Sequence, residues 1–436
     1  MKKSILLLTS LFLFSCGSTS LSSSEIISTP NEDSFTHEES SLKESNSELS
    51  SPVLSTSESS SDKEEISSVI ESTADIISGI IDGSDNIFLV DIDKTVDFHT
   101  PDQRKYLKGS YELIEKYTNG KTECSKPESI YLTWDFFEDG LPEQCRRTFN
   151  RFDVFLDVND TFDDPRIYTL SEGFEDGFKV EVTNLLLDTT YYWKVQAVYE
   201  NLVVESETSS FKTTNVAPRN LNVDGVSNVR DLGGWKIDDN HRIKQGMIYR
   251  GAAFEDLLYD THITDIGISQ ARNELKVNSE IELRWISIGE ITSRQYSLLG
   301  EDINYYEYEF NYNDEKLLDG NIDSIAKCFR LFADESKYPI YYHCRIGTDR
   351  TGILTYLLFG FLGLDQDTIL KDYLFSNFGY VGGNRTINSI KNAYLDKIDA
   401  SEGETLQDKI TNILKNRCLL DDDTLNSIKS LMIEEI

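Results

Sequence analysis

Tyr341-Tyr342-His343-Cys344-Arg345-Ile346-Gly347-Thr348-Asp349-Arg350-Thr351-Gly352 is the stretch whose reading decides the fold. Upstream, the β-type run Tyr338 to Tyr342 delivers a strand. Downstream, the apolar run Ile353 to Leu362 is long enough for a buried helix. Between them a short loop opens at Cys344 and closes at Arg350. Each part has a job if the ligand is a phosphate. The residues Arg345, Ile346, Gly347, Thr348 and Asp349 can curl so that successive backbone N–H groups face an anion. The start of the following helix adds its positive dipole end. The same field favours a thiolate, so Cys344 is the expected nucleophile. Arg350 can fork onto two phosphate oxygens, which a lysine cannot do. The Thr351 hydroxyl is placed to hydrogen-bond the sulfur, and Gly347 lets backbone approach the ligand with no Cβ in the way.

His-Cys-x5-Arg-Thr resembles the signature of the cysteine-dependent phosphatases. Cys-x5-Arg alone is common by chance. The preceding strand, the His, the Gly, the Thr-Gly and the apolar helix make the pattern specific, because a structural cysteine in a strand–helix turn requires none of them.

The chain has 436 residues, enough for two domains with their own cores plus extensions. It carries 42 Lys and Arg against 76 Asp and Glu, a net charge of -34. A phosphate backbone would be repelled, which argues against nucleic acid as a partner and against a surface held flat on anionic lipid. An anion site is compatible with that charge: loop amides, a helix dipole and Arg350 act at contact range, where distant charge is screened. Five His, with no clustered Cys/His spacing, argue against structural zinc, and no cofactor is expected.

The first residues read as an export signal: Lys2 and Lys3, the apolar run Ile5 to Phe14, then Ser15-Cys16-Gly17. The run is too short to span a membrane. Leu13-Phe14-Ser15-Cys16 resembles the bacterial lipobox, which implies cleavage after residue 15, a diacylated Cys16 and a protein anchored on the outer face of the cell membrane. An ordinary cleaved signal peptide is the alternative. With Cys16 and Cys344 assigned, Cys124, Cys145, Cys328 and Cys418 remain of the six cysteines. Cys124 and Cys145 lie in one domain and can pair, which spacing alone does not establish.

Gly17 to Ser61 is rich in Ser, Glu, Thr and Asn and cannot bury enough apolar surface to fold. As a coil of about 45 residues it would reach roughly 35–40 Å, enough to clear a headgroup layer. From Asp62 to Ile81 the apolar residues fall at helical spacing, and a marginal amphipathic helix is expected. Phe88 to Thr95 contains Asp91-x-Asp93-x-Thr95, which looks like the first motif of haloacid-dehalogenase-type phosphatases and implies magnesium. Such an enzyme needs an alternating β/α sheet downstream. The chain downstream reads as all-β instead, and the plainer reading is a single extended strand.

From Ser129 onward come short strands and turns. Ile130 to Trp134, Phe152 to Val158 and Tyr191 to Val198 carry period-two alternation, and Phe211 closes the set. This predicts a β-sandwich. Leu132-Thr133-Trp134, and Leu185, Thr189, Tyr191, Val195 and Ala197, resemble the early strand and the tyrosine corner of fibronectin type III domains; Leu187-Asp188 stands where Pro-Gly is usual. The Trp and Tyr residues are expected in the core rather than on a ligand face.

Val216-Ala217-Pro218 reads as the joint between domains. Beyond it, Ile281 to Trp285 and Asn304 to Asn311 are expected strands, Asn321 to Asp334 a helix, and Leu- and Ile-rich helices continue to Ile436. This is an α/β domain with a mostly parallel sheet. Four blocks carry a specific resemblance: Asn228-Val229-Arg230-Asp231-Leu232-Gly233-Gly234; Tyr249-Arg250-Gly251-Ala252; Glu282-Leu283-Arg284; and the signature loop, followed by Asp372-Tyr373-Leu374-Phe375-Ser376-Asn377. Their order is similar to the bacterial tyrosine phosphatase family related to mycobacterial secreted phosphatases and Listeria-type lipid phosphatases. The resemblance implies metal-free hydrolysis of phosphoproteins or phosphoinositides. It makes Cys344 the nucleophile, Arg350 the phosphate clamp and Asp349 the general acid, with Arg345, Ile346, Gly347, Thr348 and Thr351 binding phosphate. Thr348 stands where the family usually has a Lys linked with inositol phosphates; Arg345 supplies a positive charge nearby. For the acid, Asp314 lies at the spacing used by other tyrosine phosphatases and Asp323 is a further option, but Asp349 is preferred. Asn228, Arg230, Asp231 and Arg250 either line the pocket or brace a turn, and bracing is the favoured reading.

The expected organisation is therefore a leader and lipobox over 1–16, a tether over 17–85, a fibronectin type III-like all-β sandwich over 86–216 and an α/β cysteine-dependent phosphatase domain over 217–436. The alternative is a surface phospho-binding or adhesion module with weak or no catalysis.

Overall fold

The computed structural model describes residues 79–92, 95–118, 126–141, 148–259, 261–312, 316–379 and 384–436. Cys16, most of the tether, Asp93, Cys124, Cys145 and Asp314 lie outside them, and with them the lipobox and the Cys124–Cys145 pairing. From residue 65 onward the chain is one compact unit.

The N-terminal half is two sheets facing each other. Ile130–Phe136 is central to a three-stranded antiparallel sheet, with Ile87–Leu89 and Phe178–Val182 on either side. Its alternation buries Ile130, Leu132 and Trp134 on one face. The second, seven-stranded sheet is built on Phe149–Asp157 and Thr190–Tyr199, paired antiparallel with Val154 opposite Val195 and Leu156 opposite Trp193. Tyr191, Trp193, Val195, Ala197 and Tyr199 point inward. Aromatic rings fill the space between the sheets: Trp134 meets Phe152 edge-on at 5.4 Å, and Phe152 meets Phe178 at 5.1 Å. At the corner before Tyr191, Asp188 takes a positive φ of 53°, the conformation a glycine would adopt most easily. The Leu186 amide closes the corner on the Tyr191 hydroxyl at 2.9 Å.

Two local expectations fail here. Ile80–Asp82, expected at the end of an amphipathic helix, is a strand pairing in parallel with Val203–Glu205. The edge backbone groups of Val203–Glu205 outcompete helical spacing in so short a segment. Residues 87–96 are also not one extended strand. Ile87–Leu89 belongs to the three-stranded sheet, whereas Thr95–Val96 pairs with Lys212–Thr213 in the other, so the chain crosses between layers around an exposed Asp91.

The C-terminal half is a five-stranded sheet: β1 (Arg230–Asp231), β2 (Ile248–Gly251), β3 (Ser279–Glu282), β4 (Asn304–Glu307) and β5 (Ile340–His343), in the order β1-β2-β5-β3-β4. All neighbours are parallel except the β1–β2 edge. The helix α1 (Ile322–Phe332) precedes β5. After it come α2 (Asp349–Leu362), α3 (Gln366–Phe375), α4 (Leu406–Asn416) and α5 (Asp422–Met432). Every residue of α2 is buried, which explains the predominantly apolar run from Ile353 to Leu362 that follows its polar first turn. β5 is the middle strand, so its C-terminal end opens at the centre of the sheet's carboxyl edge, where α/β folds place ligands.

The two halves are stitched together by buried bonds. Arg219 donates Nε to Leu185 O at 2.9 Å and Nη2 to Asn184 O at 2.6 Å, while its Nη1 holds Asp231 Oδ2 at 2.8 Å. The helix Pro101–Lys108 lies against α3: the Tyr106 hydroxyl donates to Lys371 O at 2.9 Å, and its ring meets Phe378 at 5.5 Å. One hydrophobic core runs through both halves.

Candidate active site

Cys344 directly follows β5, and α2 begins five residues later at Asp349. The loop between is shaped from outside. Asn228 Nδ2 donates to Ile346 O at 3.0 Å and Gly347 O at 3.1 Å. Arg250 Nη2 donates to Gly347 O at 2.7 Å, and the Ala253 amide to Arg345 O at 3.2 Å. With the carbonyls drawn outward, the amides of Arg345, Ile346, Gly347 and Thr348 donate to no described group. Unpartnered amides at the head of a helix make a seat for an anion. The Thr351 hydroxyl donates to Cys344 Sγ at 3.1 Å. Gly347 has a positive φ of 68°, and a Cβ there would lie 2.3 Å from the Gly251 carbonyl carbon and oxygen. What Gly347 makes room for is therefore the β2 backbone, where proximity to a ligand was expected.

The bracing residues form one buried network. Arg230 Nε and Nη2 hold the Asp372 carboxylate at 2.8 and 3.1 Å, and Arg250 Nη1 reaches the same carboxylate at 3.1 Å. Arg230 Nη1 also orients Asn228 through its Oδ1 at 2.7 Å. Asn228, Arg230 and Arg250 thus act from behind the loop. Asp231 faces Arg219 and the amides of Gly233 and Gly246. Behind β5, His343 Nε2 lies 2.8 Å from Glu280 Oε1.

Arg350 departs from expectation. Its Nη1 and Nη2 fork onto Glu290 at 2.6 and 2.7 Å, leaving Nε buried without a partner. Glu290 sits at the end of a tight turn that begins at Trp285 and also accepts from the Trp285 amide at 2.9 Å and from Arg345 Nε at 3.1 Å. Burial works against its charge, but Arg350, the Trp285 amide and Arg345 together outweigh burial and pull the carboxyl down to about 2. Burial would likewise depress the Arg350 guanidinium; Glu290 and Cys344 reverse that and push it up. Arg345, expected as a spare positive charge, is shared between Glu290 and Asp256 Oδ2, the latter at 3.3 Å.

Asp349 is held by Arg385, Nε to Oδ1 and Nη2 to Oδ2, both at 2.9 Å. Tyr373 adds a hydroxyl at 3.1 Å and Tyr312 one at 3.4 Å. Asp323 is exposed at the start of α1 and does not line the cleft. The cleft encloses about 350 Å³. Its walls are Tyr259, Trp285, Ile288 and Tyr312; Cys344 and Ile346 lie among Arg345, Asp349, Arg350, Glu290 and Arg385. Glu290, Arg385 and Tyr312 were not found from the sequence. The only signal was that Glu290 comes soon after the Glu282-Leu283-Arg284 block. Cys328 and Cys418 are buried free thiols; burial pushes both up, Cys418 to about 12, which makes them inert.

The tyrosine phosphatase family profile matches residues 221–430. Among solved structures, the chain is similar to the core catalytic domain of the PP-IP phosphatase SIW14 from S. cerevisiae, in complex with citrate. Identity there is 18% with a TM-score of 0.26, covering 41% of this chain and 94% of that one. A second structure of the Siw14 catalytic core gives 18% identity and a TM-score of 0.27, over 39% of this chain and 88% of that one. No curated protein matches the chain.

Proposed function

We propose that this cysteine-dependent phosphatase, whose residues 221–430 are a domain of the tyrosine phosphatase family, hydrolyses aryl phosphates of the phosphotyrosine type. The observation that carries the reading is the ring of unpartnered amides beside Cys344, with the free Nε of Arg350 next to it. The phosphate oxygens sit on the amides of Arg345, Ile346, Gly347 and Thr348 and on Arg350 Nε. Cys344 Sγ attacks phosphorus, the P–O bond to the leaving group breaks, and a cysteinyl-phosphate forms. Thr351 stabilises the sulfur when it leaves again, and Asp349 is the proton donor to the departing oxygen. Water then attacks phosphorus and gives its proton to Asp349. A thiolate, loop amides and an arginine supply the nucleophile and the charge stabilisation, so the chemistry calls for no metal. Glu290 fixes the Arg350 fork without occupying Nε, which makes it a positioning residue.

The aromatic walls favour a planar leaving group. The arginines of the cleft are balanced by Glu290, Asp256 and Asp349, so no standing excess of positive charge awaits a highly phosphorylated headgroup. A phosphoinositide is the second reading, supported by the resemblance of the sequence blocks. We propose further that residues 1–16 direct export, that Cys16 is diacylated, that the chain from 17 up to the strand Ile80–Asp82 tethers the enzyme to the outer face of the membrane, and that the two-sheet domain, which that strand joins, is a fibronectin type III-like spacer.

The test is phosphate release from p-nitrophenyl phosphate, a phosphotyrosine peptide and soluble inositol phosphates, with excess chelator, by wild type and Cys344→Ser. Chelator-resistant activity that vanishes in Cys344→Ser is expected. Activity that survives the substitution would sink the mechanism. Radiolabelled palmitate should enter the wild type but not Cys16→Ala.

A further inference from the structure

Asp349 is held as an acceptor at both oxygens. Arg385 donates to each at 2.9 Å, and the hydroxyls of Tyr373 and Tyr312 add to Oδ1 and Oδ2. A group that protonates a leaving oxygen must carry a proton and aim it at the substrate. Arginine has no acceptor atom, so a protonated Asp349 would have to turn its O–H away from this fork. Release of Arg385 frees an Asp349 oxygen to carry that proton and aim it at the substrate.

The structure shows how Arg385 can do so cheaply. Its backbone is pinned on both sides by Asn377, which accepts from the Arg385 amide at 2.7 Å and donates to its carbonyl at 3.0 Å. Movement is thereby confined to the side chain. That side chain lines the cleft, is partly exposed, and its Nη1 donates to no described residue. The other cleft arginines have standing partners: Arg350 on Glu290, Arg345 between Glu290 and Asp256. A guanidinium exchanges one carboxylate for another anion at little net cost, because the fork fits both.

We propose that Arg385 recognises a second anionic group on the substrate, beside the scissile phosphate, and that this recognition releases Asp349 to protonate the leaving group. The proposal rests on the phosphatase reading above, with Asp349 as the proton donor. With the second anion on Arg385, Asp349 takes up a proton from the solvent pool (hydronium or buffer acid). As the S–P bond forms and the O–P bond breaks, that proton passes to the leaving oxygen. Asp349 is then a carboxylate, ready to take the proton of the attacking water and, after turnover, to receive Arg385 again. Arg385 is thus a specificity-determining and positioning residue. The second anion is either a carboxylate flanking a phosphotyrosine or a further phosphate on the same small molecule.

The experiment compares matched substrates on the full chain. One pair is a phosphotyrosine peptide with Glu on both sides against the same peptide with Gln. The other is an inositol phosphate with two adjacent phosphates against one with a single phosphate. The readout is the ratio of kcat/KM within each pair, which is independent of the fraction of active enzyme. Wild type is expected to prefer the member with the second anion by roughly tenfold in at least one pair, mainly through kcat. Arg385→Gln should bring that ratio to about one, and Arg385→Lys should retain part of it. Preference in the peptide pair alone makes the anion a carboxylate; preference in the inositol pair alone makes it a phosphate. Absence of preference in wild type, a full preference in Arg385→Gln, or complete inactivity of both variants overturns the proposal. Failure of wild type to hydrolyse even p-nitrophenyl phosphate would instead overturn the phosphatase reading itself.

Discussion

Asp372→Asn tests the claim that the signature loop is shaped from behind. Asp372 is 1% exposed and takes bonds from two guanidinium groups that are themselves 1% and 0% exposed at the side chain. Oδ1 accepts Arg230 Nε at 2.8 Å, while Oδ2 accepts both Arg230 Nη2 and Arg250 Nη1 at 3.1 Å. Asparagine keeps the shape but removes the charge, and whichever way its amide is turned, an NH2 faces at least one arginine N–H. If the NH2 replaces Oδ2, two charge-assisted bonds are lost, each worth about 1.5–3 kcal/mol. Removing one partner of a buried ionic cluster costs about 3–5 kcal/mol by a separate route, and the two figures agree. Urea unfolding monitored by tryptophan fluorescence should therefore show a loss of about 3–5 kcal/mol with an unchanged slope. Arg250 also carries the Gly347 carbonyl, so kcat on p-nitrophenyl phosphate should fall on the order of tenfold or more under conditions where the variant is folded. A stability change below about 1 kcal/mol with normal kcat would refute the idea that this network sets the loop.

Other parts of the molecule give three further expected outcomes. The Glu290 carboxyl is lowered from 4.5 to about 2 in the folded protein, so its contribution is complete above pH 4.5 and disappears as pH falls through 2. Wild type should exceed Glu290→Gln in stability by about 1–3 kcal/mol at neutral pH, with the gap closing across that acidic window in a pH series of urea melts. Gly347→Ala combines a positive φ of 68° with a Cβ 2.3 Å from the Gly251 backbone, so the loop must shift; far-ultraviolet circular dichroism should stay native while kcat drops about a hundredfold. Arg219→Ala strips Asp231 of its buried partner and cuts both bonds to Asn184 and Leu185, and calorimetry should show the single wild-type transition split in two.

The strand, the loop and the buried helix around Cys344 could be read from the sequence because they are local. Eight consecutive residues specify the turn, and the apolar run declares its own burial. The alternation of Phe152 to Val158 and of Tyr191 to Val198 was equally plain, since an inward face repeats every second residue. The features that escaped depend on strand order. Glu290 reaches Arg350 only because β3 pairs directly with β5, an adjacency between segments some sixty residues apart. Arg385 reaches Asp349 through a segment that comes after α3 and carries no periodicity of its own. The division of residues 87–96 between two sheets was hidden for the same reason: extended backbone looks alike whichever layer it joins.

The bonds that Arg219 and Tyr106 make across the joint have a mechanical consequence. A sandwich hung on a slack linker would leave the cleft free to tumble, whatever held the sandwich. Here the sandwich is bolted to β1 at one point and to α3 at another, and two separated attachments remove the hinge. Anything that grips the sandwich therefore aims the cleft, and the acidic body swings with it as a single lever.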